Sequence, residues 1–382
     1  MREGTFVIQQ KRLFLLFLIA GIGFCLGLCA PEKAFAESIR ISLMQRVSHL
    51  RLTSREPFLA QTVLGQLAVN ATLTDARISV MKGIAINNQD TLEKIVTFTP
   101  QHEEGIAVNG FPYSGDITIY QKQGLLWVVN TVDIEKYLEG VVPSEMPSSW
   151  PMEALKTQAV VSRTYALYQK KKSQNKEYDI VASVMGQVYK GESVGHPRTH
   201  SAIAETNGMV VTYEGEIALT FFHSTSAGPT ENAQERWGID LPYLKGVSCP
   251  FDQDSPYYRW ERVIPLSDME KVLAAEQGVH TISTLTPFQL SKAGRILTVR
   301  ILHPGGETLF EAEGLRRLLG YQTLPSTNFT INSFGKKLKI SGMGWGHGVG
   351  LCQWGTKVIA ERGFAFDEII PYYFPGVDLT TR

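Results

Sequence analysis

The stretch YLEGVVPSEMPSSWPMEALKTQAVVSRTYAL, residues 137–167, decides the architecture, because a segment punctuated by proline runs there into a long helical pattern. Ser148-Ser149-Trp150-Pro151 is the start signal, with proline in the first turn, where its missing N–H costs nothing. Leu155, Ala159, Ser162 and Ala166 fall on one narrow face of small residues, which predicts close packing. Lys170, Lys171 and Lys172 end the helix where the macrodipole favours cations. Upstream the period changes to two. Ile39-Arg40-Ile41-Ser42-Leu43 alternates, and Ile117-Thr118-Ile119-Tyr120 and Leu125-Leu126-Trp127-Val128-Val129 flank a glycine-containing turn at 121–124. A β-rich part over 37–132 therefore precedes a core over 133–382. Strands resume beyond Tyr178, as at 208–215, and a mixed segment at 266–334 holds a helix near Leu315-Arg316-Arg317-Leu318-Leu319. The expected class is α+β, a β-rich front and a mixed core sharing a substrate groove.

Composition narrows the function. The 382 residues carry 37 Lys+Arg against 37 Asp+Glu, a balance without the clustered positive charge that drives phosphate binding, so nucleic acid is not an expected partner. Lys11 and Arg12 precede an uncharged run over 13–30, and Ala34-Phe35-Ala36 offers a small-x-small cleavage site, so residues 1–36 read as a signal peptide. The competing reading, a membrane anchor, is weakened by Gly21, Gly23 and Gly27 and by a run at the lower limit for a bilayer core of about 30 Å. Leu28 before Cys29 is a poor match to lipoprotein processing. An uncleaved signal is the one route to membrane association. Export to the periplasm or cell envelope removes the protein from ATP and reduced nicotinamides and leaves cell wall as the polymer at hand. Cleavage takes away four basic residues (Arg2, Lys11, Arg12, Lys33) and two acidic ones (Glu3, Glu32), leaving 33 against 35.

Three blocks carry candidate chemistry. Glu145 lies between Pro143 and Pro147 in an apolar stretch, a setting that favours the neutral acid and raises its pKa as a general acid requires. The competing reading is a carboxylate near a helix start, held there by the dipole. FFHSTSAGPTE, 221–231, is a strand end entering a broken polar loop, where His223 and Ser226 suit hydrogen bonding to a sugar or carboxamide. A Ser/His hydrolase is disfavoured, for no G-x-S-x-G elbow is present. GWGHGVGLCQWG, 344–355, leads into a helix at about 356–362; without a Lys-Ser/Thr ending or a G-x-G-x-x-G in a βαβ unit it is no nucleotide loop. Its glycines, Trp345, His347, Gln353 and Trp354 fit either a sugar-binding surface or a tight core turn.

In this order the three blocks resemble the SpoIID/LytB family of bacterial cell-wall proteins, with lesser similarity from about Ile39 to Leu379. The resemblance implies lytic transglycosylase action on the bond between N-acetylmuramic acid and N-acetylglucosamine, leaving a 1,6-anhydro end. The family's essential acid matches Glu145. Such an enzyme needs one carboxylate where an ordinary glycosidase needs two, because the muramoyl C6 hydroxyl is the nucleophile. His223, Ser226, His347 and Gln353 are expected to line the groove with Gln187, Tyr189 and Arg163. Zinc-binding sporulation members carry Cys and His just before a Q-V-Y-x-G string. Here Gln187-Val188-Tyr189-Lys190-Gly191 follows Val181, Ala182, Met185 and Gly186, none able to replace a thiolate or imidazole, so neither zinc nor any other cofactor is expected. Peptidoglycan strands are the implied partner. LytB-type members supply the rival reading, a wall-binding enhancer of an N-acetylmuramoyl-L-alanine amidase with no chemistry of its own.

Cleavage would leave only Cys249 and Cys352. In an oxidising compartment a disulfide closing a loop of about a hundred residues stabilises by roughly 4 to 5 kcal/mol in the chain-entropy model. Two free thiols, or a metal shared with His223 and His347, are the alternatives.

Overall fold

The computed structural model describes residues 37–62, 65–66, 73–174, 176–183, 186–333 and 335–382; the expected signal peptide and Met185 lie outside them. The fold is α+β. Its front is a mainly antiparallel sheet in which Ser38–Val47, Leu125–Asp133, Asp116–Lys122, Ile95–Pro100, His49–Thr62 and Leu73–Val80 are neighbours in that order. The expected hairpin forms with Lys122 opposite Leu125, and Gln123 (φ 51°) and Gly124 (φ 73°) make the two-residue turn whose positive φ values match strand twist. The sheet feeds two cores. Ile117, Ile119, Leu126 and Val128 pack with Phe58 and Phe98, whose rings meet edge-on at 6.0 Å. Ile39, Ile41 and Val132 pack instead against the helices that follow.

The first helix, α1 (Ile134–Glu145), is absent from the sequence reading. Asp133 caps it by accepting from the Glu135 and Lys136 N–H groups, and Tyr137, Leu138, Val141 and Val142 are buried on it. Pro143 sits in its last turn and hides the helix from a reading that treats proline as punctuation. Helix α2 (Met152–Lys172) begins just after Pro151 as expected. Its predicted burial was too narrow: Leu155, Ala159, Ser162 and Ala166 are buried, but so are Ala154, Thr157, Gln158, Val160, Val161, Arg163 and Thr164. It is a central strut, with α1 and the sheet on one side and a second core, shared with the C-terminal helices, on the other. Polar residues survive there through hydrogen bonds, as in Gln158 Nε2 to Ser162 Oγ at 2.8 Å and Thr164 Oγ1 to Val160 O at 2.6 Å.

Two short helices follow, α3 (Pro197–Glu205) and α4 (Ala233–Trp237), with strand Met209–Tyr213 between them, which pairs with the terminal strand Asp378–Thr381. Residues 259–343 then form a lobe with its own core. Strands Arg259–Pro265 and Lys337–Met343 pair antiparallel at its base, Arg259 opposite Met343. Within it lie α5 (Leu266–Gln277), a meander of Thr284–Leu290, Ile296–His303 and Gly306–Glu311, and α6 (Ala312–Leu319), packed around Leu273, Val299, Leu315 and Leu338. Helices α7 (Gln353–Glu361) and α8 (Phe366–Tyr373) complete the body against α2. Among the described residues no helix is long and apolar enough to cross a membrane.

Candidate active site

Glu145 is the last residue of α1, not the start of a helix, and the chain turns extended at Met146. A helix C-terminus is the negative end of the macrodipole, so the dipole disfavours ionisation there, the opposite of the competing reading above. Burial dominates and pushes the carboxyl up to about 7, against the Val188 N–H, which donates to Glu145 Oε1 at 2.8 Å, and the Gln353 amide, both of which hold it down. The carboxyl lines a cleft of about 700 Å³.

The second and third blocks meet by parallel pairing, Phe222 beside Leu351 and His223 beside Cys352. Thr225 and Trp345 exchange backbone hydrogen bonds at 3.0 and 2.9 Å. Glycine makes this approach possible: a Cβ on Gly350 (φ 73°) would stand 2.2 Å from Phe221 O. Helix α7 starts three residues earlier than expected, because the Cys352 sulfur accepts the Gly355 N–H and serves as its cap. Gln353 is thereby its first residue, and its Nε2 donates to the Glu145 carbonyl and to Gln158 Oε1, each at 3.2 Å.

The two histidines are neutral. Burial, then the positive charges of Arg295 and Arg316, push His223 down to about 3. Its Nδ1–H donates to Val349 O at 3.2 Å, so Nε2 accepts from Ser226 Oγ at 2.8 Å. Burial likewise lowers His347, whose Nδ1 accepts the Val349 N–H at 3.0 Å, leaving Nε2 to carry the proton. His347 packs on the Trp237 ring at 5.0 Å between centroids.

Of the expected lining residues, Glu145, His223, His347 and Gln353 reach the cleft. Ser226, Gln187, Tyr189 and Arg163 do not. Ser226 is 1% exposed and spends its hydroxyl on His223, out of reach of a substrate. Arg163 is buried in a two-pronged ion pair with Glu135, at 2.7 and 2.6 Å, and donates to Met209 O; it fastens α1 to α2. Gln187 accepts from Tyr137 OH at 2.9 Å and donates to Ser162 O, while Tyr189 OH donates to Asn130 Oδ1 at 3.0 Å. These two anchors flank Val188 and aim its N–H at Glu145. The lobe supplies the wall that sequence reasoning missed, including Thr298, Glu313, Arg316, Arg317 and Tyr321. Glu313 is held by Arg236 and Arg316. No described residue of 37–132 lines the cleft, which departs from the expected shared groove: the front sheet commits its apolar faces to its own core and to α1 and α2.

Cys249 and Cys352 are close but unbonded, two buried thiols. The imagined metal partners are absent from their company, for among the described residues the cysteines cluster with Asp252 and not with His223 or His347.

The stage II sporulation protein family (SpoIID) matches residues 122–213, which hold α1, α2 and the 186–189 loop, and a domain of unknown function matches 244–350, which holds the lobe. An uncharacterized protein of Brachyspira hyodysenteriae is 30% identical over 354 residues, 91% of this chain and 94% of that one. Stage II sporulation protein D of Bacillus amyloliquefaciens is 32% identical over 271 residues, covering 66% of this chain and 75% of its own. An amidase enhancer of Bacillus subtilis is 28% identical over 290 residues, 64% of this chain but 40% of its own length. With its acid at the end of α1 and its glycine-rich block folded against the strand of His223, the chain belongs to the SpoIID family.

Proposed function

We propose that this chain is an exported cell-wall remodelling protein, a lytic transglycosylase that cleaves peptidoglycan between N-acetylmuramic acid and N-acetylglucosamine. The observation that carries the reading is the Glu145 carboxyl, facing the cleft with its pKa pushed up to about 7. Near neutral pH such a group is present in both protonation states, as one residue serving first as acid and then as base requires. Glu145 donates its proton to the departing glycosidic oxygen as the bond to the muramoyl C1 breaks. The carboxylate left behind is stabilised by the Val188 N–H and by Gln353. It then takes the proton of the muramoyl C6 hydroxyl as that oxygen closes on C1, which returns the acid and leaves the 1,6-anhydro end. No water enters the balance. Trp237, Trp345 and the His347 Nε2–H offer ring faces and a donor to the sugars. Residues 1–36 serve as the signal, and the working protein acts in the periplasm or envelope.

The likeness to an amidase enhancer favours a second reading, in which the cleft binds glycan without cutting it and assists a wall amidase. Purified protein incubated with intact and with peptide-stripped glycan strands, followed by mass spectrometry for anhydro-muropeptides or anhydro saccharides, separates the two. Products from either substrate, lost in Glu145→Gln, support the enzyme. Stimulation of an added amidase with no anhydro product from wild type supports the enhancer.

A further inference from the structure

Cys249 and Asp252 belong to one loop, and Cys352 is the cap of α7. Their ligand atoms, two sulfurs and a carboxylate oxygen, all lie within 4.8 Å of one another, and all three residues are buried. Asp252 Oδ2 stands 3.3 Å from Cys352 Sγ and accepts the Ala227 N–H at 2.8 Å. Asp252 is 0% exposed, yet its Oδ1 has no hydrogen-bond partner among the described residues. A buried carboxylate oxygen left without a partner is costly, so the arrangement favours a ligand that completes it.

The sulfur of Cys352 is furnished with outer contacts. The Ser226 and Gly355 N–H groups both donate to it at 3.4 Å. Gly355 donates from the first turn of α7 and Ser226 from the loop after His223; burial pushes the Cys352 thiol up, against the Gly355 N–H, and metal-bound sulfurs are held by outer hydrogen bonds of this kind. A disulfide would consume both sulfurs and leave Asp252 Oδ1 unpaired. Two free thiols would leave it unpaired as well. A dication with tetrahedral preference uses all three groups: Zn–S of about 2.3 Å and Zn–O of about 2.1 Å imply ligand separations of roughly 3.5 to 3.8 Å, comparable with the spacing found.

We propose that Cys249, Asp252 and Cys352 form a structural site for a divalent metal of the zinc class. Binding releases the two thiol protons to solvent and places the 2+ ion against two thiolates and one carboxylate. Tyr373 OH, 3.4 Å from Cys249 Sγ, is a further oxygen beside the site. The ion clamps two chain segments, the 249–252 loop and the start of α7, which carries Gln353, and the 224–227 loop is tied to both through the Ser226 and Ala227 N–H groups. It lies apart from the cleft and takes no part in bond cleavage.

The full mature chain, purified without reductant or chelator and analysed by mass spectrometric metal counting, is expected to hold about one zinc per chain. Replacing it with Co2+ should give a thiolate-to-cobalt charge-transfer absorption, and both thiols should become titratable only after chelation or denaturation. Asp252→Asn keeps the shape of the side chain and is expected to weaken Co2+ binding by tenfold or more; Cys352→Ser should abolish the charge-transfer band or halve it. Should Cys352→Ser fail to fold, Asp252→Asn carries the test. Wild type that takes up neither Zn2+ nor Co2+ overturns the proposal. So does a denatured, unreduced chain with no titratable thiol, which would mark a disulfide, and so does Asp252→Asn with wild-type Co2+ affinity.

Discussion

The side-chain amide of Gln353 donates to the main-chain carbonyl of Glu145 across 3.2 Å and 208 positions of sequence. The first residue of α7 thus steadies the last residue of α1, and the same side chain helps to hold the Glu145 carboxyl down. Gln353→Leu removes a restraint on ionisation, so the Glu145 pKa should rise above its present value. The alkaline limb of the rate profile for glycan cleavage should move to higher pH, with kcat reduced and KM little changed. An unmoved limb would assign Gln353 to stability alone.

Glu145→Gln removes the transferable proton while keeping the shape. Loss of general acid catalysis amounts to roughly 10²- to 10⁴-fold in rate. Release of anhydro products should fall by that amount while the circular dichroism spectrum stays that of wild type.

The same substitution has a signature in stability. The folded pKa of Glu145 is about 7 against an ordinary 4.5, so between these values the folded chain binds more protons than the unfolded chain and this group's contribution falls as pH rises. It is fully present below 4.5 and lost by the time pH passes 7. Glu145→Gln does not titrate, so its stability relative to wild type should improve by about 2–3 kcal/mol between pH 4 and pH 8. Urea unfolding of both proteins at the two pH values measures this; a gap that does not change with pH contradicts the burial argument.

Arg163 is 1% exposed on its side chain and Glu135 22%. Removing one partner strands the other, so Arg163→Met should cost about 3–5 kcal/mol, whereas Arg163→Met with Glu135→Leu should recover much of it. A double-mutant cycle by chemical denaturation tests both statements.

Gly140 faces the ring of Tyr189, and a Cβ there would lie 2.7 Å from Tyr189 Cε2 and 2.6 Å from Gly191 O. Overpacking of this kind costs about 1–3 kcal/mol. Gly140→Ala should lower the melting temperature and, by displacing the loop that presents Val188, reduce glycan cleavage more than it reduces glycan binding in a pull-down.

Local pattern made some of this legible and long-range contact hid the rest. The hairpin at 121–124 follows from alternation and a glycine, and α2 from its start signal and its lysines, because both depend on neighbours in sequence. Glu145 stood out because two prolines and apolar residues surround it, and burial does raise its pKa. The helix that carries it was hidden by Pro143, which has no N–H to give the preceding turn and so reads as a helix breaker, yet stands only two residues before the helix ends. Arg163, Gln187 and Tyr189 lie in or beside the same motifs as Glu145, and sequence gives no means of separating a side chain that touches substrate from one that aims its neighbour. The lobe's cleft residues had no signal at all: Arg316 and Arg317 read as part of an ordinary amphipathic helix until the lobe is folded against the body.

The lobe begins and ends on paired strands, with Arg259 opposite Met343. Its entry and exit are therefore adjacent, while Glu145, Val188 and Gln353 all belong to the body. The two-strand junction is not the lobe's sole attachment, for Arg295 Nη2 donates to Ser226 O and Ser291 Oγ to Glu231 Oε1, each at 2.7 Å. An exchange of lobes between relatives would therefore have to carry partners for Ser226 and Glu231 along with the strand pair.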